Sequence, residues 1–441
     1  MVRQSSVEFV NQDSSGKHGH RFVKGSDVPK PPNFDGQGVI AILKHPLSLL
    51  LICLPFGMVS HHQGWPEVYT FFFNFFAMVP LAKILGDATE ELAVALKNDM
   101  LAGLLNATFG NAVEMVIMIQ TLRAGLYDVV KATLLGSVLS NTLLVLGMSF
   151  FCGGIVGTAV VPRATKEGSR MTMTEMRHAE TETVWVAEKV QHYSVLNALI
   201  NVSMLLLSCM CLSLVTVFQT VTDVEGVSVL EGKMLPISRV CSLLIISAYA
   251  AYIVFQLGTH REALSEGDTT DEEDGDEEHL SITMSTVIMV ICTIVVAHCS
   301  EMLVGALEET TRHAHISRHF IGIILLPIVG NACEHAAAVR FAIQDKPGLS
   351  IGIAIGSSTQ ISLFVVPFSV LCGWFMNKDM DLNFGALNTT VMTISVLVVL
   401  SMVVDGSSNW LQGYLLCAAY AVVAVLYWNF PDPDESYEYE G

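Results

Sequence analysis

Charge is what this chain has least of: among 441 residues only 15% are Asp, Glu, Lys or Arg, against 52% hydrophobic. With a mean hydropathy of +0.52, too little polar side chain remains to cover a soluble globule of this length, so the chain is expected to lie in a lipid bilayer. Basic residues are scarcer still. The 23 Lys and Arg face 42 Asp and Glu for a net charge of −19, which argues against a nucleic-acid partner. Cysteine supplies no framework: the ten cysteines fall in or beside apolar runs, Cys209-Met210-Cys211 lacks zinc-site spacing, and all read as packing residues. No His-Glu-x-x-His occurs, and Asp271-Glu272-Glu273-Asp274-Gly275-Asp276 misplaces the glycine of a calcium-binding loop. Nothing here marks an enzyme or asks for a cofactor.

What the chain has in abundance is runs of about 20 apolar residues, the length that crosses a bilayer as a helix. They stand near 46–60, 67–86, 101–122, 129–151, 195–217, 237–257, 283–307, 319–344, 349–375, 387–404 and 410–428. The expectation is an all-α integral membrane protein of about eleven transmembrane helices. The first run is short, holds Pro55 and Gly57 and lacks a small-residue cleavage site, so it reads as a retained helix. The expected division is a disordered cytosolic arm over 1–38, an N-terminal transmembrane helix over 39–64 and a five-helix repeat over 65–257. An acidic cytosolic linker over 258–281, with ten carboxylates between Glu262 and Glu278, leads to a second five-helix repeat over 282–430 and an acidic tail over 431–441. The polar stretch 156–194 reads as a solvated connector, with Thr172–Gln191 a candidate surface helix. Placing the N-terminus in the cytosol puts sixteen Lys and Arg on the cytosolic side and seven on the other, which favours that orientation and leaves the C-terminus across the membrane.

The two halves repeat one another. Gly110-Asn111-Ala112-Val113-Glu114 returns as Gly330-Asn331-Ala332-Cys333-Glu334, and the same offset of 220 aligns Gly136-Ser137 with Gly356-Ser357 and Cys152-Gly153 with Cys372-Gly373. An odd number of crossings separates the copies, so the repeats must be inverted, an arrangement in which secondary transporters place their site at the midplane. A carboxylate near the bilayer centre costs about 3 kcal/mol or more and is rarely kept unless it faces protein or water. Duplicated, it suggests a cation pathway.

Around each glutamate the sequence offers further oxygen. Asn111 shares a helix face with Glu114, beside a stripe of Gly103, Ala107 and Gly110; Asn331 and Glu334 repeat the pattern, and Pro327 is expected to open that helix one turn earlier. Spans four and nine contribute Ser137, Ser140 and Asn141, and Ser357, Ser358 and Gln360. The expected ligand set is Glu114, Glu334, Asn111, Asn331, Ser137, Ser357 and Gln360, all oxygen, which suits a hard divalent cation such as calcium. Each buried carboxyl is expected to hold a proton when empty and to release it to an arriving cation, which suffices for proton coupling. A weaker repeat, Thr89-Glu90-Glu91-Leu92 against Ser300-Glu301-Met302-Leu303, places Glu90 and Glu301 toward opposite entrances. His298 and His335 are candidate proton relays on those routes. A passive channel and a sodium-coupled exchanger remain alternatives, and Glu334-His335 is too slight a motif for an intramembrane hydrolase.

The paired Gly-Asn-Ala-x-Glu motifs, preceded by Leu104-Leu105-Asn106-Ala107-Thr108-Phe109 and by Ile323-Ile324-Leu325-Leu326-Pro327-Ile328-Val329, resemble those of the vacuolar calcium/proton exchangers of the calcium/cation antiporter superfamily. The resemblance covers roughly residues 40–430 and leaves out the N-terminal arm and the 156–194 loop. It implies an eleven-span fold of two inverted repeats in a vacuolar membrane and calcium uptake driven by protons. It further implies that Glu114 and Glu334 alternate between proton and cation, with Asn111 and Asn331 completing the site and Glu90 and Glu301 in the access pathways. Cys333 before Glu334, and Ser140-Asn141 opposite Gln360-Ile361, depart from the family pattern and leave calcium against manganese open.

Overall fold

The computed structural model describes residues 34–96, 101–102, 105, 108–160, 181–185, 189–224, 233–260, 280–314 and 316–431. The acidic linker, the acidic tail beyond 431, most of the N-terminal arm, and Gly103 and Ala107 of the small-residue stripe lie outside them.

Nearly everything described is helix. The short helix α1 (Phe34–Leu43) precedes a tight 3-10 turn, Pro46–Ile52, that runs into α2 (Cys53–His62). Then follow α3 (Glu67–Ala95), α4 (Ala112–Arg123) and α5 (Tyr127–Ile155). Strands β1 (Val156–Val160), β2 (Thr181–Trp185) and β3 (Gln191–His192) lead to α6 (Val195–Val224) and α7 (Met234–Thr259). The second half comprises α8 (Ile282–Gly305), α9 (Leu307–Ala314), α10 (Arg318–Gly330), α11 (Ala332–Ile343), α12 (Pro347–Phe375), α13 (Ala386–Val403), β4 (Ser407–Ser408) and α14 (Trp410–Trp428). Among the described residues, eight helices are long and apolar enough to cross a membrane, and α10–α11, bent by 61° between Gly330 and Ala332, makes nine if taken as one span. The other two expected spans fall on the short apolar stretch Pro46–His62 and on α4, whose upstream residues are only partly described.

Two expectations are corrected. The arm expected to be disordered through residue 38 is helical from Phe34. The candidate surface helix over Thr172–Gln191 is not helix where described: residues 181–185 are strand β2, paired antiparallel with β1, Val156 opposite Trp185. The segment Thr-Glu-Thr-Val-Trp is rich in β-branched and aromatic residues, which suit a pleated surface better than a helix. Helix ends also move: α3 continues to Ala95, which takes Glu90 into the helix, and α7 runs to Thr259, past the expected domain boundary at 257.

Contacts between turns decide which ends lie together. At one end Gln191 and His192 pair with Ser408 and Ser407, while Lys189 and Gln191 reach Asp345 Oδ1 at 2.6 and 2.8 Å. At the other end Lys131 meets Asp381 at 2.7 Å, the Leu382 N–H donates to Ser238 Oγ, and Asn383 donates to Gln219. Helix α5 therefore starts at the second end and finishes at the first, where Gly153 lies against Gln191 and Ala342. Its repeat partner α12 starts at the first end, after Asp345, and finishes at the second. The repeats are inverted. Helix α3 packs along its counterpart α8, and the first half of α5 packs on α10, so helices of the two halves interleave.

Candidate functional site

Both copies of the repeated pentapeptide fall on breaks between helices. Asn111 (φ −107°, ψ 26°) and Asn331 (φ −85°, ψ 3°) sit just outside the helical region as the residues before α4 and α11, which puts Glu114 and Glu334 in the first turn of their half-helices. The exposed amides and dipole of a helix N-terminus favour a carboxylate there, while the carbonyl end of the preceding half-helix is left to face a cation. Pro327 does not itself break the chain. The turn over Ile321–Leu325 widens to π geometry, absorbing the bond that the proline ring denies, and the bend follows at Asn331. Gly136 of α5 nests against this widened turn: a Cβ there would collide with the Ile323 carbonyl and the Pro327 ring.

The partner helices are deformed at matching places. Helix α5 has a π turn over Ser140–Val145 and α12 one over Ile361–Val365, each beginning at the polar residues of that span. Such widened turns free backbone groups and recur at functional sites.

Side chains from both halves then converge. Asn141 Nδ2 donates to Glu334 Oε2 at 2.8 Å and to Ser357 Oγ at 3.0 Å. The Ser357 hydroxyl donates to Asn111 Oδ1 at 3.4 Å, and Asn111 Nδ2 donates to Gln360 Oε1 at 2.8 Å. Asn331 Nδ2 donates to the Ser137 carbonyl at 3.2 Å. Glu114 reaches across to the other half, its carboxylate lying against Gly330 at the bend, within electrostatic reach of Glu334. Glu334 is held by Asn141 while Glu114 lies against Gly330, so the two carboxylates are not equivalent in this conformation.

Three oxygens in this cluster, Ser137 Oγ, Asn141 Oδ1 and Asn331 Oδ1, are buried without a hydrogen-bond donor. Buried polar atoms are seldom left unpaired, and a group of orphaned acceptors beside two carboxylates is what a cation would satisfy. Among the described residues no group of three or more His, Cys, Asp or Glu gathers anywhere, so the donor set is two carboxylates plus neutral oxygens. That composition fits a hard cation and offers no soft ligand.

All seven expected ligands meet here. Asn141, which the sequence offered beside Ser137 and Ser140 but outside the expected ligand set, proves to be the side chain that holds Glu334. Ser358 bonds to the Ala354 carbonyl of its own helix and to that of Val138. Of the expected access residues, Glu90 on α3 and Glu301 and His298 on α8 are exposed, and the His335 ring, beside Glu334 on α11, meets Met148 Sδ at 2.9 Å. One feature escaped the sequence reading, an ion pair of Lys83 with Asp87 on α3. Its signal was two opposite charges four residues apart inside an apolar run.

The sodium/calcium exchanger protein family model matches residues 67–258 and 284–429, most of the chain in two blocks. The chain belongs to this family. Within the family it is 38% identical over 407 residues to a vacuolar cation/proton exchanger of Oryza sativa subsp. japonica, covering 90% of this chain and 84% of the relative. It is 37% identical to a Ca2+/H+ antiporter of Synechocystis, covering 87% and 97%. Among solved structures it resembles native YfkE at 30% identity with a TM-score of 0.68, covering 87% of this chain and 100% of that one. The crystal structure of the H+/Ca2+ exchanger CAX shares the fold at 14% identity and a TM-score of 0.59, covering 92% and 91%.

Proposed function

We propose that the protein is a secondary active antiporter that exchanges cytosolic Ca2+ for lumenal H+ by alternating access. The observation that carries this reading is the meeting of Glu114 and Glu334, from inverted halves, among orphaned neutral oxygens. The relatives named cation/proton exchangers and Ca2+/H+ antiporter support it. With the site open to the cytosol, the two carboxyls release protons and take one cation, with oxygens of Asn111, Asn331, Ser137, Ser357 and Gln360 completing its shell. Rearrangement turns the site to an acidic lumen, where protons displace the cation. Coupling requires that the empty, deprotonated site does not reorient, since that would dissipate both gradients.

The vacuolar relatives and the proton coupling together support a vacuolar or related acidic membrane, with the N-terminus cytosolic and the C-terminus lumenal. Glu90 and Glu301, with His298, are assigned to the two access routes, and His335 to a position beside one of them. Apart from the O–H bonds of the exchanging carboxyls the cycle makes and breaks no covalent bond, so no catalytic residue or cofactor is assigned.

The test is calcium uptake by purified protein in liposomes, with pH and sodium gradients set independently. Uptake should follow the pH gradient, persist without sodium, and vanish in both Glu114→Gln and Glu334→Gln. Uptake that survives collapse of the pH gradient would instead mark a channel, and normal uptake by Glu114→Gln would overturn the assignment. Adding Mn2+ as a competitor in the same assay separates a calcium exchanger from a manganese one.

A further inference from the structure

The Lys83–Asp87 pair on α3 has no part in the site as built so far. A charge within an apolar span is costly on a lipid-facing surface, and α3 packs against both α10 and α11, the two halves of the broken span that carries Asn331 and Glu334. Two independent neighbourhoods locate the pair. Cys333, the residue before Glu334, has Asp87 and Lys83 among its charged neighbours, with Glu334 and Glu114. His45, just before the first apolar stretch, has Lys83, Asp87 and Arg340 as its charged neighbours. The pair thus neighbours both the residue before Glu334 and the end of the molecule where His45 and Arg340 lie. Its side chains remain 18% and 28% exposed, so neither charge is sealed in.

We propose that Asp87 is a waypoint for the divalent cation on the route to Glu334, and that Lys83 is a tethered cation that holds the waypoint until the ion displaces it. A part-exposed pair of this kind is weak, and a doubly charged ion at equal distance attracts the carboxylate twice as strongly as the ammonium does. The long, flexible lysine stem lets the ammonium swing aside without moving α3. Lys83 then acts as a selectivity threshold: a monovalent ion gains little by displacing a monovalent ammonium, whereas a divalent ion gains. The proposal deepens the antiporter reading and rests on it.

Initial rates of calcium uptake into proteoliposomes, measured against external calcium under a fixed pH gradient, test it. Losing one charge along the route should change the apparent KM about threefold to tenfold. Lys83→Gln should lower KM, Asp87→Asn should raise it, Asp87→Glu should restore it, and the double variant Lys83→Gln/Asp87→Asn should fall between the singles, with kcat little altered throughout. Sodium should inhibit Lys83→Gln more than the unmodified protein. Single variants with unmoved KM would overturn the proposal. So would loss of detergent stability in both singles together with a wild-type KM in the uncharged double, because the pair would then be a structural brace. Failure of the unmodified protein to take up calcium would overturn the antiporter reading itself, a separable result.

Discussion

At the scale of single residues, the two glutamates are alike in sequence and different in place. Glu114 is buried against Gly330 and has no side chain of the other half donating to it in the described network, whereas Glu334 is held by Asn141. Under the offset that aligns the repeats, Asn141 corresponds to Ile361 and Gln360 to Ser140, so the polar network is asymmetric although its carboxylates match in sequence. A hydrogen bond to a charged group contributes about 1.5–3 kcal/mol, so Asn141→Ala should weaken calcium binding about tenfold to a hundredfold, read as the KM of uptake in proteoliposomes. An unchanged KM would remove Asn141 from the site. The carboxylates and their asparagines were legible because a short motif repeats them beside apolar sequence. The pairings Asn141–Glu334 and Asn111–Gln360 were not, since they join residues 193 and 249 positions apart whose facing depends on two helix breaks.

At the scale of elements, the bends and widened turns matter more than the regular helix. Pro327 announces a defect in the sequence, but its position does not say whether the helix will kink, break or widen. Packing settles the outcome, because Gly136 leaves room for the π turn over Ile321–Leu325 to press its Ile323 carbonyl against α5. Gly136→Ala has no space for the added methyl and should destabilise the protein by about 1–3 kcal/mol, visible as a lower Tm in detergent. Gly86→Ala, inside α3 with nothing near its Cβ position, should leave the Tm unchanged or raise it slightly and serves as the matched control. The loop after α5 also grips the end of α11: Gln191 donates to the Ala342 carbonyl at 2.7 Å, and Lys189 pairs with Asp345, which holds a left-handed φ of 60° in the tight turn to α12. The segment expected to be a solvated connector is therefore joined to the half-helix that carries Glu334. Lys189→Ala should raise amide hydrogen exchange over 340–346 while leaving the far end, around 376–385, as it was.

At the scale of the whole molecule, inversion follows from counting crossings, and the turn contacts bear it out by bringing 189–192, 342–345 and 407–408 to one end and 131, 219, 238 and 381–383 to the other. This makes a labelling prediction. With the native cysteines replaced, Asp405→Cys and Asp379→Cys, both exposed, should react with a membrane-impermeant thiol reagent from opposite faces, Asp405→Cys from the cytosolic one. Labelling of both from one face would refute the threading. The sequence by itself determined the membrane location, the order of helices and the duplication with its paired carboxylates, because apolar run length and local motif are properties of neighbouring residues. Only the tertiary structure decided that Glu114 crosses to the bend of the other half, that Asn141 and not Ser140 holds Glu334, and that three buried oxygens remain without donors. Those facts depend on how closely helices approach and on where each one widens or bends, and both are fixed by packing between segments that the chain order keeps far apart.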